Sequence, residues 1–206
     1  MKIPILLCMF GLSLLTSTAR AGKEMKEAVV ETPFDKGKLE LQVGVGAFTS
    51  VQPTSADRPG FTDVDVAFRL GRMLYTPGGD GFFRGNCEFL VELYGAALVE
   101  GPGTGYIGAN FTLRYNFVQP SARWVPYAQI QAGGIYNDIS DHERQRVFGS
   151  SFAFNLQAGF GVRYLCTDHC ALFLEADYRH ISNADTSDRN LGLNSVGGLL
   201  GASYFF

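Results

Sequence analysis

Beyond its amino-terminal stretch, the chain lacks any apolar run long enough to cross a bilayer as a helix. It lacks a basic excess as well. With Lys2 and Arg20 set aside, 15 basic residues stand against 20 acidic ones. There is therefore no electrostatic case for nucleic acid, and any membrane attachment must come from apolar surface. Cysteine is scarce, and of the four only Cys87, Cys166 and Cys170 lie outside the amino-terminal apolar stretch. Tryptophan occurs once, yet aromatics make up 13% of the residues and glycine numbers 25, a composition of strands and turns.

What is present begins with an export signal. Lys2 supplies the positive start, Ile3 to Leu15 the apolar stretch, and Ala19-Arg20-Ala21 a small-x-small cleavage site. Residues 1–21 are thus expected to be a signal peptide. Cys8 lies inside the apolar stretch and away from the cleavage point, so a lipoprotein anchor is not expected. Residues 22–38 carry mixed charge and read as a flexible periplasmic arm. Export makes a local disulfide reasonable in Cys166-Thr-Asp-His-Cys170. A zinc site using His169 would need more ligands than this segment offers, and Cys87 would remain unpaired.

From 39 to 206 the sequence alternates with a period of two in eight segments separated by turn-rich stretches. In the first, Leu41, Val43 and Val45 share one face and Glu40, Gln42 and Gly44 the other. The sixth is the cleanest, with Phe152, Phe154, Leu156, Ala158 and Phe160 opposite Asn155, Gln157 and Gly159. A soluble sandwich would turn the apolar face inward and carry Lys and Glu outside. Here the second face holds Gly, Asn, Gln, Ser and Thr, plus charges of both signs that can pair within a narrow lumen: Asp65, Arg69, Glu88, Glu92, Arg114, Arg163, Glu175, Asp177 and Arg179. Each segment has about the ten residues that a tilted strand needs to cross a bilayer. The expected fold is all-β, an eight-stranded antiparallel transmembrane β-barrel over 39–206. With both ends in the periplasm, the outer loops fall near 49–60, 100–105, 138–146 and 183–191.

Parity makes a sharper statement near the C-terminus. His180 and Ser182 share the numbering of Leu172, Leu174, Ala176 and Tyr178, so they face lipid, as does Asn194 beside Val196, Leu200 and Tyr204. A register that pairs His180 with Asn194 also pairs Ser182 with Gly192. Polar side chains on a lipid-facing strand are unfavourable toward the bilayer centre and tolerated near its edge. Three of them converging there fit a hydrolase: His180 as base, Ser182 as nucleophile, and Asn194 holding the imidazole tautomer. Asn183 or nearby backbone N–H groups supply an oxyanion site.

At these residues the chain resembles the lipid A 3-O-deacylases of Gram-negative outer membranes, the PagL family. The matching core is His180-Ile181-Ser182-Asn183-Ala184, followed by Gly192-Leu193-Asn194 and an aromatic end at Phe206. The resemblance implies an eight-stranded barrel with its site on the outer wall, acting on lipid A of the outer leaflet. It implies His180 as base, Ser182 as nucleophile and Asn183 near the oxyanion, with no metal or organic cofactor. Two positions depart from the family pattern: Asn194 stands where the family has Glu, and Asp185 where Gly is common.

Other clusters read differently. Glu175, Asp177 and Arg179 face the lumen and form a structural charge network. Asp141-His142-Glu143 reads as a solvated loop tip. Trp124, Tyr75 and Phe117 read as an interfacial girdle. The competing functions are a non-catalytic structural or adhesion and surface-protection barrel, which short outer loops disfavour, and a narrow channel, which a side-chain-filled lumen disfavours.

Overall fold

The computed structural model describes residues 32–55 and 57–206; the expected signal peptide 1–21, including Cys8, and the first part of the 22–38 segment lie outside the described residues. The alternating segments form eight antiparallel strands: β1 (Leu39–Ser50), β2 (Thr62–Met73), β3 (Asn86–Glu100), β4 (Gly105–Asn116), β5 (Trp124–Asn137), β6 (Phe152–Leu165), β7 (Cys170–Ser182) and β8 (Leu193–Phe205). Each pairs with its sequence neighbours, and β8 returns to β1 to close the barrel. Closure removes both sheet edges, so every central backbone group has a partner and a lipid-embedded wall becomes possible.

The period of two sorts side chains as the sequence implies. Val43, Val66, Phe68, Leu93, Ile107, Ile130, Leu156 and Leu174 lie exposed on the outer wall, while Glu40, Arg69, Glu88, Arg114, Arg163 and Glu175 are buried in the lumen. The lumen is a network, not a pore. Arg163 reaches Glu40 at 2.6 Å and Glu88 at 2.9 Å, and Arg69 bonds Glu92 and also Glu175 at 2.7 Å. Arg179 bonds Asp63 at 2.7 Å and Asp65 at 2.8 Å, and Gln129 donates to Asp177. Glycine makes room for this filling: a Cβ on Gly161 would overlap the Tyr127 ring, and one on Gly71 would overlap the Glu88 carboxylate.

Apolar residues seal both ends. At the turn end, Phe34, Met73, Val118, Val125 and Phe205 form one cluster. At the loop end, Phe48, Tyr94, Tyr106, Ile181 and Leu193 are joined by Phe61 from the β1–β2 loop and by Ile139, Val147 and Phe148 from the β5–β6 loop. This double seal argues against the channel reading. The part of the 22–38 arm that is described is tied under the barrel. Phe34 is buried against Phe205 with ring centroids 5.5 Å apart, and its carbonyl accepts from Asn86 at 2.6 Å.

The expected Cys166–Cys170 disulfide is not formed, and both thiols are free and exposed. The two residues oppose each other across the β6–β7 turn, where the Cys166 N–H donates to the Cys170 carbonyl at 2.9 Å. That backbone pairing closes the turn without a covalent bond. His169 lies there with Nδ1 3.0 Å from the Phe205 carbonyl. The aromatic rim at this end is wider than the sequence suggested. Trp124 packs on Tyr164 at 4.8 Å, and the exposed Phe82 of the β2–β3 turn packs on Phe117 and on its exposed neighbour Phe83.

Candidate active site

The loop ends of β7 and β8 bring the polar outward-facing residues together. His180 pairs with Asn194 across the two strands, as the parity argument required. On the β6 side the same register sets Leu156 beside His180 and Phe154 beside Ser182, and Val196 flanks Tyr178 on β8. The site is therefore a polar spot in an apolar wall.

The imidazole is held by one strong contact. His180 Nδ1 lies 2.7 Å from Asn194 Oδ1. An amide oxygen can only accept, so Nδ1 carries the proton and Nε2 keeps its lone pair. The hydroxyl of Tyr178 donates to the same Oδ1, also at 2.7 Å. Ser182 shares the outward face of β7 with His180, and its hydroxyl has no hydrogen-bond partner among the described residues. A serine engaged elsewhere would be a poor nucleophile; this one is open to an incoming group.

Gly192 closes the space around both side chains. Its φ is +69°, the left-handed region in which a Cβ is unfavourable. A Cβ built there would lie 3.1 Å from His180 Cε1 and 3.8 Å from Ser182 Cβ. The backbone of this segment is pinned by neighbouring loops. Gly192 N–H donates to the Val147 carbonyl at 3.0 Å, Leu191 N–H to the Arg146 carbonyl at 2.9 Å, and Arg58 to the Leu191 carbonyl at 2.7 Å. Gln52 accepts from the Asn194 N–H at 2.8 Å and donates to the Gly192 carbonyl. Arg189 clamps the β7–β8 loop onto the β5–β6 loop through the carbonyls of Ser140, His142 and Gln145.

Asn183 sits differently from its expected oxyanion role. Its parity turns it inward, and it is fully buried. Its side-chain amide donates to Ser187 Oγ at 2.8 Å and to the Arg189 carbonyl at 3.0 Å, while its own N–H donates to Asn190 Oδ1 at 3.0 Å. Its donors hold the loop and leave none for a substrate. The next two residues offer more. Ala184 (φ 52°) and Asp185 (φ 61°) are consecutive left-handed residues in a turn closed by Thr186 N–H to the Asn183 carbonyl at 3.1 Å. Their own N–H groups have no partner among the described residues. The left-handed conformation explains the usual glycine at position 185, and aspartate is among the side chains that tolerate it. The Asp185 carboxylate is held across the loop by Asn190 Nδ2 at 2.8 Å.

Sequence reasoning missed three contributors: Tyr178, Gln52 and the loop contacts on Gly192. Tyr178 was within reach, because it shares the face of His180 and stands diagonal to Asn194 in the paired register. Gln52 could not be read, since it comes from a loop distant in sequence. The Asp141-His142-Glu143 group is an exposed loop tip in which the His142 carbonyl receives Arg189.

Comparison with known proteins places this geometry in context. A family model described as lipid A 3-O-deacylase (PagL) matches residues 66–203, a span that contains Tyr178, His180, Ser182 and Asn194. Among solved structures, the chain is similar to the outer membrane enzyme PagL, with a TM-score of 0.53 at 16% identity over 79% of this chain and 97% of that one. It is also similar to Neisserial surface protein A (NspA), with a TM-score of 0.51 at 16% identity over 82% of this chain and 98% of that one. At such identity these two likenesses speak to the fold. No curated protein matches the chain.

Proposed function

The chain belongs to the lipid A 3-O-deacylase (PagL) family and is a Gram-negative outer-membrane barrel, and from that premise we propose that it hydrolyses the 3-O-linked acyl ester of lipid A using Ser182, His180 and Asn194. The observation that carries the reading is the His180 Nδ1 to Asn194 Oδ1 contact on the lipid-facing wall. It supports an imidazole whose free Nε2 lies on the same face as an unpartnered Ser182 hydroxyl.

The chemistry follows from these positions. Lipid A reaches the site by lateral diffusion, with its acyl chains against Phe154, Leu156 and Val196. His180 Nε2 takes the Ser182 proton as the hydroxyl attacks the ester carbonyl. Charge develops on the carbonyl oxygen, and the free N–H groups of Ala184 and Asp185 are the donors best able to meet it. His180 then returns the proton to the departing 3-hydroxyl of the sugar. Water, deprotonated by His180, cleaves the acyl-serine and releases a fatty acid. Asn194 keeps the proton on Nδ1 and supports the imidazolium, with less electrostatic help than a carboxylate would give.

The test is mass spectrometry of lipid A from Gram-negative cells expressing either the native chain or its Ser182→Ala variant. The expected result is loss of one 3-hydroxyacyl group with the native chain alone. Unchanged lipid A in both, with both barrels folded in the membrane, would instead support a non-catalytic surface barrel.

A further inference from the structure

The third member of the site is an amide, and that creates a problem a carboxylate does not have. A carboxylate presents acceptors in either orientation. An amide turned by half a rotation about its last bond presents an NH2 group instead. Facing His180, that NH2 would donate to Nδ1, which would then need its lone pair. The single proton of the neutral imidazole would move to Nε2, toward Ser182, and the base would be lost.

The backbone of Asn194 is well fixed, with its N–H on Gln52 Oε1 at 2.8 Å and its carbonyl receiving Val51 N–H at 3.0 Å. Those bonds do not choose which end of the side chain faces the imidazole. Among the described residues, the side chain has two partners, His180 Nδ1 and the Tyr178 hydroxyl, both on Oδ1 at 2.7 Å. A phenol gives up its proton more readily than it accepts one. On an apolar wall the Tyr178 proton has no other acceptor among the described residues. With Oδ1 toward the pair, both donors are satisfied by one oxygen. With Nδ2 there, the Tyr178 proton is left unpaired next to lipid, which is unfavourable.

From this geometry we infer that Tyr178 is a positioning residue for the proposed hydrolase: it locks the Asn194 amide with its oxygen toward His180, fixing the Nδ1–H tautomer that a carboxylate at position 194 would enforce unaided. The Tyr178 hydroxyl makes its one hydrogen bond among the described residues to Asn194 Oδ1. It acts through Asn194, and its importance depends on position 194 being an amide. The inference rests on the functional reading above, but its central claim concerns a tautomer and can be read without activity.

The experiment combines Tyr178→Phe and Asn194→Glu, singly and together, in the full chain refolded in detergent micelles. Nitrogen-15 spectra of labelled histidine report the tautomer of His180; His142 and His169, both on loops, serve as internal references. Deacylation of lipid A in mixed micelles is measured alongside. In the native chain His180 is expected as the Nδ1–H form. Tyr178→Phe should shift a substantial fraction to Nε2–H and lower kcat about tenfold, the effect of losing one hydrogen bond, with KM little changed. In the Asn194→Glu background the same tyrosine substitution should leave the tautomer unmoved and change kcat less than about twofold. A Tyr178→Phe spectrum identical to that of the native chain would overturn the inference, as would an equal loss of activity in both backgrounds. If the native chain does not deacylate lipid A at all, the functional reading fails while the tautomer shift still decides the role of Tyr178.

Discussion

The molecule holds two polar clusters, one inside the barrel and one on its wall, and they are organised in opposite ways. In the lumen, four buried arginines stand among seven carboxylates, and each arginine bridges more than one partner: Arg163 alone serves Glu40, Glu88 and Asn116. On the wall, three uncharged polar groups and a histidine stand among Phe154, Leu156 and Val196, with the Ser182 hydroxyl left open. Paired charges in the lumen tie the strands to one another, whereas an open hydroxyl at a lipid edge is free to bind and react. The difference lies in which side of a strand each residue occupies.

The sharpest way to test that contrast is to remove one member from each cluster. Ser182→Ala is expected to lower deacylation by about a thousandfold or more and to leave the barrel's urea midpoint unchanged. Arg163→Met should do the reverse. It strands the buried Glu40 and Glu88 carboxylates, so unfolding should become easier by roughly 3–5 kcal/mol, measured by urea titration, while folded molecules keep their activity. If Arg163→Met instead abolished activity in a fully stable barrel, the division between the clusters would collapse.

Smaller effects refine the wall. Asn194→Glu replaces a neutral acceptor by a charged one, a gain of about 1.4 kcal/mol toward the imidazolium and about tenfold in kcat; an unchanged rate would mean that proton transfer is not limiting. Gly192→Ala should reduce activity several-fold, because the new methyl would press on His180 Cε1 and the left-handed backbone disfavours it by roughly 1–2 kcal/mol. Its thermal midpoint should fall only slightly.

The smallest effect concerns a loop clamp. Burial pushes the Asp138 carboxyl upward, but hydrogen bonds from the Thr104 side chain and from the Thr104 and Gly105 N–H groups outweigh it and hold it below its ordinary value of 3.8. A carboxyl lowered on folding stabilises the folded form above its ordinary value, and that contribution is lost as pH falls through the lowered one. Protection of the Thr104 and Gly105 amides, taken relative to intrinsic exchange at each pH, should therefore fall only in that acid range.

Legibility followed periodicity. The strands from Leu39 to Phe205, the lumen charges and the His180–Asn194 pairing could all be read because a period of two assigns every residue to one face and a short loop leaves few registers. The same parity that placed His180 and Ser182 outside placed Asn183 inside, yet the oxyanion role was read from its place beside Ser182, and from the family pattern, without applying that parity to it. The buried amide now seen binding Ser187 and Arg189 shows parity to be the better guide. The free thiols of Cys166 and Cys170 make a related point, since a spacing that permits a disulfide does not require one where backbone pairing already closes the turn.

The sequence by itself determined the barrel, its inside and outside, and the strand ends at which polar groups meet lipid, because these depend only on alternation and on neighbours a few residues apart. Tertiary structure decided the rest. Gln52, Arg58 and Val147 reach the site from loops far away in the chain, and no local pattern encodes which loop folds over which. The direction of the Asn194 amide, on which the state of His180 depends, was set only when Tyr178 came within hydrogen-bonding distance across two paired strands.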